Sequence, residues 1–265
     1  MSRVRVSNWV FAAYVLAVFS FVFAPILFSL VFSFNSQRFP TIPLGDFSTE
    51  WYAKIFADPD VWEAALNSLI VSASAAVLAT FLGFCTAYSD YRYNFRFKGP
   101  YLALILLPPT IPLIIMALAM LAWLSKLGLS GQLWSIIIAH SVLTAPFAMA
   151  VIRLRLNQMD PDLESAAWNL GGSEWQTMRH VILPFCRPAI VSALCLAAAV
   201  SFDEFAVAWF VSGLNKTVPV IILEIVQGNI DPQVNAIGTF VFLVSITLIV
   251  LAQVFFISRR VKDPR

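Results

Sequence analysis

Two adjacent carboxylates, Asp203 and Glu204, interrupt an otherwise uncharged run from Pro188 to Val211, flanked by Phe202, Phe205 and Trp209. A charge at hydrocarbon depth is costly, so an acid inside an apolar run is a functional-site candidate. Carboxylates beside aromatic faces suit a ligand bearing ammonium groups, which the acid pairs with and the ring face attracts. On a helix the two side chains project about 100° apart, so at most one faces a given path squarely. The structural alternatives are an ion pair with an arginine of another chain, or the cap of a helix break. Glu224 is a weaker candidate of the same kind.

Backbone chemistry is the second possibility. Pro108, Pro109 and Pro112 fall inside one apolar stretch. Each proline removes a hydrogen bond and kinks a helix, and the freed carbonyls are tolerated where they line a cavity or meet protein. His140 reads as a hydrogen-bonded residue between helices, and Asn67 and Asn235 read as caps near span ends. Catalytic chemistry finds little support. There are two histidines, three scattered cysteines, no H-E-x-x-H, and no G-x-x-x-x-G-K-[ST] to cradle nucleotide phosphates.

The elements that carry these residues follow from composition. Of 265 residues, 60% are hydrophobic and 12% charged, with a mean hydropathy of +0.81. Soluble domains carry roughly 25% charged residues, so lipid must be this chain's solvent. A spanning helix needs about 20 apolar residues. Windows of that kind lie at 9–34, 65–89, 100–124, 131–152, 188–211 and 235–258, which predicts an all-α membrane protein of about six transmembrane helices. The uncharged run after Arg5 is too long for the core of a secretory signal and reads as a retained span. Strands of a membrane barrel would alternate apolar and polar residues, and these runs do not.

Basic residues orient the chain. With both termini inside, thirteen of the seventeen lie on the cytoplasmic side: Arg3, Arg5, Arg92, Arg96, Lys98, Arg153, Arg155, Arg179, Arg187, Arg259, Arg260, Lys262 and Arg265. Arg38, Lys54, Lys126 and Lys216 fall outside, and Trp51 and Tyr52 in the outer 35–64 loop read as interfacial anchors. The aromatic residues of the first span, such as Phe19, Phe21, Phe23 and Phe28, read as lipid-facing. The whole chain, 1–265, reads as one membrane domain.

The loop at 153–187 carries the densest local signals. Asp160 is a good N-cap, Pro161 fits the first helical position, and Asp162 and Glu164 complement the helix dipole. Gly171 and Gly172 can end that helix in a left-handed turn, Ser173 and Gln176 form a capping box, and Pro184 is expected to stop the second helix. Pro188 opens the next span. The product is a helix–Gly–helix knuckle with Leu163, Trp168 and Trp175 exposed, which on physical grounds alone could equally rest on lipid headgroups.

The run Ala166-Ala167, Gly171, then Ile182, Leu183 and Pro184, with Pro188 and Ile190, resembles the "EAA" loop of permease subunits of bacterial ABC importers. The family's usual Glu corresponds to Ser165, with Glu164 beside it. The stretches Ser33–Phe56, Ala65–Ser72, Leu107–Ile115, Ser201–Gly213 and Pro232–Thr239 look like the spermidine/putrescine-type permeases, and parts of them are shared with permeases for iron, phosphonates and opines.

The resemblance implies a type I ABC importer permease fold with both termini cytoplasmic, a multi-pass protein of the bacterial inner membrane, and no catalysis in this chain. It further implies that residues Leu163, Glu164, Ser165, Ala166, Ala167, Trp168, Leu170 and Gly171 form a coupling helix. That helix would dock in a groove of a cytoplasmic ATPase subunit, where small residues allow close approach. ATP and Mg would bind the ATPases, present in two copies. A second, related permease subunit and an extracytoplasmic substrate-binding protein complete the implied assembly, with no nucleic acid. The substrate path would hold Asp203, Glu204, Phe205 and Trp209, and the cargo would be a polyamine or a related small cation. An ion-coupled carrier using Asp203 or Glu204 as a proton relay is the alternative of another class. Such carriers usually show inverted repeats, and none is evident here.

Overall fold

The computed structural model describes residues 8–38, 43–160, 162–228, 232–244 and 246–247. Pro161, the basic residues Arg3, Arg5, Arg259, Arg260, Lys262 and Arg265, and positions 248–258 of the expected last span lie outside them. The described residues are helical apart from connecting turns and a single β-bridge, Asn35 with Phe47. They fall into two compact units: one built from residues up to Val61 together with those from Ile222 onward, the other Trp62–Ile221.

Among the described residues, four helices are long and apolar enough to cross a bilayer. Helix α1, Asn8–Phe32, realises the first expected span. Its Phe19, Phe21, Phe23 and Phe28 are exposed, as lipid-facing aromatics should be. A short α2, Glu50–Ala57, follows. Trp51 is not an interfacial anchor: it is buried, and its indole N–H donates to the Asn35 carbonyl at 2.8 Å. The Tyr52 ring lies tilted 5.0 Å from that of Phe34, and its hydroxyl shares a 2.8 Å hydrogen bond with Ser33. Both rings serve the folded segment after α1, Trp51 as donor to a backbone carbonyl and Tyr52 as partner of a side-chain hydroxyl.

In the second unit, α3 (Pro59–Arg92) is followed by α4 (Lys98–Leu106), α5 (Leu113–Lys126) and α6 (Leu133–Leu156). The expected span at 100–124 is thus not one helix. A 3₁₀ turn at Pro108–Thr110 and extended backbone at Ile111 and Pro112 divide it into α4 and α5. Three prolines deny the helix its donors there.

Helix α6 is the axis of this unit. Small residues let its neighbours approach. Along α3 the buried positions include Ala64, Ser68, Ser72, Ala75, Ala76, Ala79, Gly83 and Ala87. Gly83 is required by that approach, since a Cβ there would lie 2.6 Å from the Met149 backbone nitrogen of α6. In membranes this small-residue packing substitutes for a hydrophobic driving force. His140 of α6 is buried and its Nδ1 lies 2.9 Å from Ser201 Oγ, the interhelical bond the sequence predicted. Asn67 is not a cap: it donates to the Lys216 carbonyl at 3.1 Å. Asn235 of the first unit accepts from Ser29 at 3.2 Å.

Beyond α6 come α7 (Asp162–Asn169), α8 (Glu174–Thr177), a π-helical segment Met178–Ile182, α9 (Leu183–Asp203), α10 (Ala206–Val211) and α11 (Val218–Gly228). Helix α12, Gln233–Val244, opens the expected last span. Pro184 does not stop the chain's helical course. The π segment, in which the Leu183 N–H reaches the Met178 carbonyl, delivers Pro184 to the first turn of α9, where a missing N–H costs nothing. Helical residues therefore run without interruption from Glu174 to Asp203, and Pro188 lies inside α9 rather than opening it.

Candidate functional site

The knuckle at 160–177 is built by local chemistry. The Asp160 carboxylate accepts the Asp162 N–H at 3.0 Å and starts α7. At the other end, the Gly172 N–H reaches the Ala167 carbonyl at 2.9 Å and the Gly171 N–H reaches Trp168 at 2.8 Å. That paired closure is a Schellman motif, and Gly171 supplies its left-handed residue with φ +81°. The capping box that starts α8 is present in both directions: Ser173 Oγ accepts from the Gln176 N–H, and Gln176 Oε1 from the Ser173 N–H.

Helix α7 has two faces. Leu163, Ser165 and Ala166 are exposed, Leu170 is 89% exposed just past the helix end, and Trp175 of α8 is 70% exposed. Ala167 is half-buried. Glu164 points the other way: it is 5% exposed and forms an ion pair with Arg92 of α3 at 3.6 Å. The Arg92 guanidinium also stands 4.7 Å from the centre of the Trp168 ring. Glu164 therefore faces the membrane-spanning helices, while the apolar residues beside it face outward.

Sequence reasoning missed the charge network beneath the knuckle. Asp90, buried at the end of α3, pairs with Arg153 of α6 at 2.5 Å and Lys98 of α4 at 3.2 Å. Arg155 of α6 donates to the Phe185 carbonyl of α9 at 3.1 Å and lies 4.0 Å over its ring. Basic residues counted only as orientation signals thus also fasten α3, α4, α6 and α9 together. The available clue was Asp90, a lone acid at the end of an apolar span with Arg92, Arg96 and Lys98 close behind.

The second candidate locus is separate along the chain. Helix α9 ends at Asp203, Glu204 adopts extended backbone with ψ 114°, and α10 starts at Ala206. The expected span at 188–211 is therefore broken at the two acids. Glu204 Oε1 accepts the Val207 N–H at 2.8 Å, so this carboxylate caps the break. Asp203 is exposed, as is Phe205, whereas Trp209 packs on a core formed by α5, α6 and α10. Ile111, at the break in the third span, packs on the same core. Glu224 is half-buried on α11. Among the described residues no cluster of metal-ligating side chains occurs.

An all-helical chain with several membrane-length helices, two spans broken at proline or acid positions, and a capped helical knuckle has the architecture of a multi-pass transport protein. It matches, with a TM-score of 0.73 at 16% identity over 97% of this chain and 96% of the other, the crystal structure of a bacterial alginate ABC transporter in complex with an alginate-pentasaccharide-bound periplasmic protein. At that identity the match shows the fold, that of an ABC importer permease. The chain belongs to the family of binding-protein-dependent transport system inner membrane components, matched over residues 75–265. It is 35% identical over 254 residues to the spermidine/putrescine transport system permease protein PotC of Haemophilus influenzae, covering 96% of this chain and 97% of that protein. It is 31% identical over 236 residues to the putrescine transport system permease protein PotI of Escherichia coli K12, covering 84% and 82%. Its function is that of the family, a transmembrane permease subunit of an ABC importer.

Proposed function

We propose that this permease carries polyamines inward, and that α7 is the helix through which a cytoplasmic ATPase drives it. The observation that carries the reading is the two-faced knuckle: Leu163, Leu170 and Trp175 stand exposed around a helix–Gly–helix turn fixed by the Asp160 cap, the Schellman closure and the Ser173 capping box. Exposed apolar side chains on a rigid helix suit insertion into a partner's groove. The knuckle lies at the end of the molecule bearing Arg92, Arg96, Lys98, Arg153 and Arg155, which the positive-inside rule places in the cytoplasm. Two ATPase subunits would hold ATP and Mg, a second permease would complete the path, and a binding protein would deliver cargo from outside.

The polyamine assignment draws support from the relatives' substrates and from Asp203. An acid at the last residue of a helix sits where the dipole is already negative, which costs roughly 0.3–1 kcal/mol. Helix stability therefore does not explain Asp203. Together with the carbonyl end of α9 it forms a locus attractive to an ammonium group, with Phe205 exposed two residues on. ATP-driven closure of the ATPases then moves the knuckles and alternates access to that locus.

Uptake of radiolabelled spermidine into proteoliposomes containing the whole transporter tests this. Uptake that requires ATP and the cognate binding protein, and that putrescine competes with, is expected. Uptake driven by a proton or sodium gradient without ATP would contradict the mechanism. ATP-dependent import of another solute with no spermidine transport would contradict the substrate.

A further inference from the structure

We infer that Arg92 and Glu164 form a mechanical latch, through which displacement of α7 is transmitted to α3 and from there to α4 and α6. The inference rests on the proposed docking of α7 to an ATPase and specifies how the membrane helices receive the motion.

Besides its packing on α8 and the π segment, α7 reaches α3 through side chains. Its main chain is separated from α6 by a turn at Asn157–Met159. The side chains that bridge to α3 converge on one residue. Glu164 and Trp168 are one helical turn apart, so they share a face. The guanidinium of Arg92 pairs with the first at 3.6 Å and covers the second at 4.7 Å. The Tyr91 side chain also lies against Glu164. Glu164 is buried while Arg92 is partly exposed, so removing Arg92 leaves a buried carboxylate without its cation.

The other side of the latch is equally specific. Asp90, two residues before Arg92, is clamped between Lys98 at the first position of α4 and Arg153 near the end of α6. Along α3, charges occur only near its ends: Asp60 and Glu63 in the first two turns, Asp90 and Arg92 in the last. The last turn of α3 thus joins α7 to two other membrane helices. Helix α4 leads into the proline break of the third span, which packs on the core shared with α10 just beyond Asp203 and Glu204. A contiguous route runs from the knuckle to the acid pair. Glu164 and Arg92 are positioning residues here, not ATPase contacts.

The test uses the complete transporter in proteoliposomes, measuring ATP hydrolysed per spermidine imported for Arg92→Gln, Arg92→Lys and Tyr91→Phe, together with copurification of the ATPase subunits. Arg92→Gln should raise the ratio roughly tenfold, within the range of coupling energies between sites, while the ATPases still copurify. Arg92→Lys keeps the charge but loses the planar stack on Trp168, so it and Tyr91→Phe should both fall between wild type and Arg92→Gln. An unchanged ratio in Arg92→Gln with the ATPases retained overturns the latch alone. Loss of the ATPases in that variant also overturns it, by moving Arg92 to the docking surface. Retention of the ATPases by Leu170→Arg would instead overturn the docking reading beneath it.

Discussion

Asp203 and Glu204 are neighbours in sequence with different employment. Glu204 holds the start of α10 through the Val207 N–H, whereas Asp203 stands exposed at the end of α9. Glu204→Ala should cost about 1 kcal/mol, the usual value of a lost cap, and lower the melting temperature in detergent without changing the KM for spermidine. Asp203→Asn should do the reverse, raising KM about fivefold or more with thermal stability kept, because a single ammonium–carboxylate contact is worth roughly 1–3 kcal/mol. Uptake kinetics and a thermal-shift measurement on the same two variants separate the roles. Both acids were legible in the sequence, since charges stand out in an apolar run. A capped helix break was among the readings the sequence allowed, but not which acid caps it, because Ser201 to Ala206 contains neither glycine nor proline and the capping bond forms only once the chain has turned.

At the scale of elements, the knuckle was the most readable part of the chain. Asp160, Gly171, Gly172, Ser173 and Gln176 act through bonds spanning only a few residues, so their types nearly dictate their geometry. Long-range features hid. Pro184 reads as a stop, and only the preceding π segment explains why helix continues past it. Glu164 reads as a residue that complements the helix dipole, and only the fold brings Arg92 to it. Helix contacts made by small residues are likewise silent until the pairing is known. Gly83 meets the α6 backbone so closely that Gly83→Leu should destabilise the protein by about 1–3 kcal/mol through overpacking. Detergent thermal stability should fall while the Schellman knuckle of α7 and α8, which does not touch Gly83, keeps its ability to bind the ATPase.

At the scale of the molecule, composition announced a lipid-solvated, all-helical chain, and family membership agrees. Among the described residues, two of the six expected spans do not form single helices: prolines divide the third and the acid pair divides the fifth. Both breaks border one core, made by α5, α6 and α10. Hydropathy windows register apolarity, not backbone continuity, so interruptions at functional depth escape them. The remaining whole-molecule claim is that α7 receives work from an ATPase. Leu170→Cys, 89% exposed at the tip of the knuckle, tests it by cross-linking within the assembled transporter, with Val77→Cys on an exposed face of α3 as the control. The account predicts a nucleotide-dependent cross-link from position 170 to the ATPase subunit and none from position 77. Cross-linking of position 170 to lipid probes alone, with the ATPase present and bound, would contradict it.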